Sequence, residues 1–95
     1  MKRKRFASIW DAIENSAADA ASMKLRAEIA NQVIERVRAW KLTQSKAAAL
    51  LGVTQPRISD LMRGRLSLFS LDSLVDMADR AGLRTSLVVR PKRAA

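Results

Sequence analysis

The stretch LLGVTQPRISDLMRG, residues 50–64, decides how this chain folds. A leucine-rich run stops at Gly52, and a proline follows at position 56. Proline inside a helix removes a backbone donor and clashes with the preceding turn, at a cost of about 3 kcal/mol. Yet Ile58, Leu61 and Met62 return to the spacing of a helix face. The two observations agree if one helix ends at Gly52 and another begins just after it. Gly52 can then take the positive φ of a helix C-terminus. Thr54 stands where an N-cap is needed, and Pro56 falls in the first turn, where its missing N–H has no intrahelical partner to lose. The pattern carries this second helix to about Met62 or Arg63, and Gly64 ends it.

Working outward, Thr43 caps the helix before the break, which runs from Gln44 to about Leu51. Two short helices joined by so tight a turn read as a helix-turn-helix. Counting from Gln44, the fifth residue is Ala48, small because the helices cross closely there. The ninth is Gly52, where positive φ is required. The fifteenth and eighteenth, Ile58 and Leu61, pin the second helix to the core. Ala47, Leu51 and Val53 complete the apolar side.

Upstream, Ser22 is a good N-cap, and a helix from there to about Trp40 is predicted. Ile29, Val33, Val37 and Trp40 form its inner stripe, widened by Ala30 and Ile34. Lys24, Glu28, Glu35, Arg36 and Arg38 fit its exposed side. Residues 6–22 begin with Phe6, Ile9, Trp10 and Ile13 on one face of a short helix, then turn alanine-rich and acidic, as in a loosely tied arm. Downstream, RGRLSLF reads as a loop. Ser70 then caps a helix over 71–81 with Leu71, Leu74, Val75 and Ala78 inward, and Gly82 stops it. Residues 83–90, LRTSLVVR, alternate with a period of two and predict a strand. The chain offers no second strand, so the same strand of another copy is the simplest partner. That would place Leu83, Thr85, Leu87 and Val89 in a homodimer contact.

The 95 residues suffice for one small domain, whose modest core gives dimerisation something to add. The formal charge is +9, with four bases in residues 2–5 and five bases against Asp60 in residues 41–65. Residues 11–35 are instead net acidic. Such a balance points to a polyanion partner. There is no cysteine and no histidine, which excludes disulfides, thiolate metal sites and imidazole bases. The nine acids are dispersed, so no catalytic residue, metal or cofactor is expected and the chain does not read as an enzyme. No apolar run approaches the roughly 20 residues of a membrane span. No apolar segment follows MKRKRF as it would in a secretory signal, so a cytoplasmic protein is expected.

The segment LTQSKAAALLGVTQPRISDLMRGR, with its L-T-Q entry, G-V-T-Q turn and L-x-x-G exit, resembles the Xre/Cro family of phage-repressor-like DNA-binding proteins. The resemblance covers residues 40–82. It implies an all-α, five-helix lambda-repressor-like domain at 22–82, with an N-terminal arm at 1–21 and a short C-terminal β-strand in 83–95. It further implies that the second motif helix enters the major groove of double-stranded DNA. Thr54, Gln55, Pro56, Arg57, Ser59 and Asp60 would then face base edges. Gln55 can serve an adenine, and Arg57 a guanine or a phosphate. Asp60 could accept from a cytosine amino group or pair with Arg57 or Arg63. Thr43, Gln44, Lys46, Arg63 and Arg65 would touch phosphates. A homodimer would set its recognition helices about 34 Å apart on an inverted-repeat operator.

The arm, with SIWDAI and MKLR ahead of the helix-turn-helix, resembles a narrower group, the HigA-like antitoxins of type II toxin–antitoxin pairs. In that group the antitoxin neutralises a RelE/HigB-like ribonuclease toxin and represses the shared operon. Phe6, Ile9, Trp10 and Ile13 would then fill a groove on the toxin. The alternatives are that they pack beside the long helix of their own domain, and that the protein is a stand-alone Xre/Cro-type regulator without a toxin.

Overall fold

The computed structural model describes residues 9–92, and their side chains from residue 19 onward. Phe6 lies outside the described residues. Ile9, Trp10 and Ile13 are described in their backbone alone. Four α-helices and one 3-10 turn follow in order: α1 (Ile9–Trp40), α2 (Gln44–Leu51), α3 (Gln55–Met62), the 3-10 turn (Leu66–Leu68) and α4 (Leu71–Arg80).

Two expectations fail here. The first is the five-helix count: the predicted arm helix and the helix predicted from Ser22 are one continuous helix of 32 residues. Ser22 sits inside it and caps nothing. The alanine-rich stretch around residues 17–21 explains this, since alanine is the best helix former and nothing there breaks the backbone. At 1.5 Å per residue such a helix is about 48 Å long, which matches the 47 Å long axis of the molecule.

The second is the C-terminal strand: residues 83–90 take no strand structure among the described residues. A strand exists only as a rung in a ladder, and no neighbouring segment offers one. Leu87, Val88 and Val89 are 69%, 69% and 82% exposed. The alternation in the sequence is therefore a pattern without a partner among the described residues.

The core gathers Ala30, Val33, Ile34 and Val37 of α1, Ala47, Ala48 and Leu51 of α2, Ile58 and Leu61 of α3, Phe69, and Leu74, Met77 and Ala78 of α4. Ile29, Trp40 and Val53 pack against its edge. The stripe read for α1 is thus the one buried. In α4 the inner face is rotated slightly, because Met77 is buried while Val75 is 39% exposed. Phe69, assigned to a loop from sequence, is 1% exposed and among the largest fully buried side chains. It stands just before the N-cap Ser70 and shares the core with Leu74, the arrangement of a hydrophobic staple. That signal was present in the sequence, five residues before Leu74. Helix α1 packs on α4 and on the 3-10 turn, while α2 and α3 pack on each other.

Candidate nucleic-acid interface

The turn between α2 and α3 is closed by its own backbone. Thr43 is extended, and its hydroxyl accepts from the Lys46 N–H at 3.2 Å. At the other end Gly52 takes φ 71°. Its amide donates to Ala49, and the Val53 amide donates to the Ala48 carbonyl at 3.0 Å. These bonds satisfy carbonyls that the end of α2 would leave bare. A side chain at Gly52 would also meet Arg80, since an added Cβ would lie 2.8 Å from its Nη1. The guanidinium of Arg80 is held nearby by Asp76 at 3.0 Å.

Thr54 is extended at φ −83° and ψ 161°, and its carbonyl accepts from the Ile58 N–H at 3.1 Å. Its side chain makes no cap hydrogen bond, contrary to the cap read from sequence. An N-cap hydroxyl serves the amide of the second or third helical residue. Here the second is Pro56, which has no amide to offer, and the N–H of the third, Arg57, is not taken up by the hydroxyl either. The Thr54 hydroxyl is therefore uncommitted within the domain, and it is exposed together with Gln55 and Pro56. Ile58 and Leu61, both 0% exposed, anchor the opposite face of α3. The helix is thus fixed at its back and open at the front of its first turn.

Arg57 is the residue that the structure treats differently from the others. Its Nη1 donates to the Leu68 carbonyl at 2.8 Å, and its guanidinium lies 3.9 Å from the centre of the Phe69 ring. A charged hydrogen bond contributes about 1.5–3 kcal/mol, and an exposed cation–π contact about 0.5–1 kcal/mol. Swinging this group outward would forfeit both, so Arg57 ties α3 to the turn before α4. Asp60 pairs with neither Arg57 nor Arg63, the two partners expected for it. Its carboxylate lies 3.8 Å from Nη1 of Arg65. The reason is the turn at Gly64, which brings Arg65 back so that its amide donates to the Asp60 carbonyl at 3.0 Å. At that separation and exposure the ion pair contributes less than about 1 kcal/mol. Ser59 is half-buried.

The basic side chains of this region, Lys46, Arg63 and Arg65, are exposed, as are Thr43 and Gln44. Neither α2 nor α3 carries an acid in its first turn, whereas α4 carries Asp72 there. Helix α4 neutralises its own positive pole. The other two carry no first-turn acid that would do the same. The arrangement can therefore bind a polyanion along α2 and present short polar side chains from the start of α3. Among the described residues no helix is long and apolar enough to cross a membrane.

A family model described as a helix-turn-helix domain matches residues 12–90. No curated protein matches the chain. A solved structure assigned to the XRE family of transcriptional regulators matches with a TM-score of 0.73 at 30% sequence identity. The match covers 81% of this chain and 90% of that one.

Proposed function

Because this chain belongs to the helix-turn-helix transcriptional regulators of the XRE family, we propose that it is a sequence-specific repressor that reads duplex DNA from the first turn of α3. The observation that carries this reading is the combination at that turn. Thr54, Gln55 and Pro56 are exposed, the Thr54 hydroxyl is uncommitted, and the back of the helix is locked by Ile58 and Leu61. Gln55 reads an adenine edge, Pro56 offers apolar contact to a thymine methyl, and Thr54 and Ser59 supply hydroxyls. Thr43, Gln44, Lys46, Arg63 and Arg65 hold phosphates and set register. Arg57 positions α3 through Phe69, and Asp60 steadies Arg65; neither reads sequence.

The test is a base-preference profile over a randomised duplex. Gln55→Ala costs about 1–3 kcal/mol at one base position and relaxes preference there. Lys46→Ala weakens all sequences alike and lowers the salt slope by about 1. Arg57→Ala likewise lowers affinity without changing the order of preferred bases. A base-specific change on losing Arg57, with none on losing Gln55, would reverse these assignments.

The repressor acts as a homodimer on an inverted repeat, joined through the segment that holds Leu83, Thr85, Leu87 and Val89. What supports this is the exposure of that segment, which leaves three large apolar side chains bare. A further reading makes the protein an antitoxin that neutralises a RelE/HigB-like ribonuclease and represses the shared operon. Its support is the resemblance of the arm and the course of α1, which starts at Ile9 although its first fully buried side chain among the described ones is Ala30. Deleting residues 1–20 would then abolish neutralisation and leave DNA affinity within a few-fold. Recovery of the protein from its own cells with DNA alone would leave a stand-alone regulator.

A further inference from the structure

The outer face of α4 forms one wall of a groove, with Asp72, Val75, Asp76 and Asp79 along it and Leu83 and Thr85 of the following chain opposite. Three of the nine acids of a chain with net charge +9 are thus gathered on one helix stripe. Asp76 is engaged by Arg80 at 3.0 Å, while Asp72 and Asp79 have no ion-pair partner among the described residues. None of these groove residues is among those assigned to DNA above.

The chain that leaves this groove has the complementary character. Residues 83–92 hold no acid, and Arg84, Arg90 and Lys92 flank Leu87, Val88 and Val89. All three bases and all three apolar side chains are exposed; Arg84 lines the groove beside Leu83 and Thr85, while residues 86–92 do not enter it. Seven extended residues, 86–92, reach at most about 23 Å, against about 15 Å for a ten-residue helix. The segment is long enough to cross the whole α4 face of a neighbour.

We propose that the α4 groove is the seat for residues 86–92 of a second copy, and that two copies exchange these segments reciprocally. Apolar side chains of the visiting segment cover Val75 and Leu83, and Arg90 and Lys92 meet Asp72 and Asp79. A two-fold exchange uses both grooves and both segments and so closes at the dimer. The inference rests on the homodimer proposed above and names its surface. It differs from strand-against-strand pairing because it depends on acids of α4, which that pairing would not touch.

The experiment is a pair of charge reversals followed by light scattering across a dilution series. The unaltered chain should weigh twice 10.5 kDa. The double variant Asp72→Lys, Asp79→Lys should be monomeric, and so should Arg90→Glu, Lys92→Glu, each with a dissociation constant raised about tenfold or more. An equimolar mixture should restore a mixed dimer, since both of its seats again join opposite charges. The neutral pair Asp72→Asn, Asp79→Asn, which places no cation at the start of α4, should weaken the dimer several-fold. Reversed variants that stay as dimeric as the unaltered chain would overturn the seat while leaving the homodimer standing. A mixture that remains monomeric would also overturn it. An unaltered chain that is monomeric throughout would overturn seat and homodimer together.

Discussion

Residues 43–82 and the two segments that flank them are built on opposite terms. In the middle, the local signals meet a partner, the side chain of Thr54 excepted. Gly52 turns at φ 71° and its neighbour Val53 returns a bond to Ala48, Ser70 accepts from Ser73 at 3.0 Å, and Ile58 and Leu61 close the core. At the ends, equally clear local signals stand without one. Ser22 has the chemistry of a cap but lies within α1, and residues 83–90 have the alternation of a strand but no ladder. A cap or a strand pattern is conditional: it becomes structure only where something breaks the competing helix or pairs the exposed edge.

The sharpest way to test this contrast is to remove one large apolar side chain from each region and follow unfolding in dilute protein. Phe69→Ala should cost about 3–5 kcal/mol, because it empties a fully buried site and frees Arg57. Leu87→Ala, at 69% exposure, should stay within about 0.5 kcal/mol. Similar costs at the two positions would mean that the C-terminal segment is packed within the monomer.

A finer comparison lies inside the middle region. Gly52 and Gly64 both have positive φ, at 71° and 76°, but only Gly52 has a neighbour within 4 Å of an added Cβ. Gly64→Ala should cost about 1 kcal/mol, the left-handed penalty alone. Gly52→Ala should cost about 2 kcal/mol, as the Arg80 guanidinium must also move from Asp76. Equal losses in denaturant melts would show that Arg80 yields freely.

The smallest effect has the most to say about the N-terminal side. Ser22→Ala should stabilise by about 0.5 kcal/mol, because alanine is the better residue within a helix. A loss of about 1 kcal/mol would instead mark Ser22 as a true cap and divide α1 there.

Much of the helix-turn-helix was legible in the sequence, for a physical reason. Glycine with positive φ, proline confined to a first turn, and a small residue at a close helix crossing are demands of the local backbone, and few residue types meet them. Gly52, Pro56, Ala48, Ile58 and Leu61 therefore announced α2, the turn and α3. What was illegible depended on groups far apart in sequence. Arg57 was read for its chemistry toward a base or a phosphate, and nothing local pointed to its contacts with Leu68 and Phe69, eleven and twelve residues on. Asp60 looked like a partner for Arg57 or Arg63 until the turn at Gly64 brought Arg65 to it. Phe69 was hidden in an irregular stretch because burial there follows from the staple with Leu74 and not from periodicity.

By itself the sequence determined the break and restart at residues 50–64, the inner stripe of α1 and the excess of positive charge, since each follows from backbone sterics or composition. Only the tertiary structure decided which of the α3 side chains are spoken for, how far α1 extends, and that residues 83–90 have no strand partner among the described residues. Those outcomes are set by contacts between distant residues, whose gain must outweigh the local preference at each position.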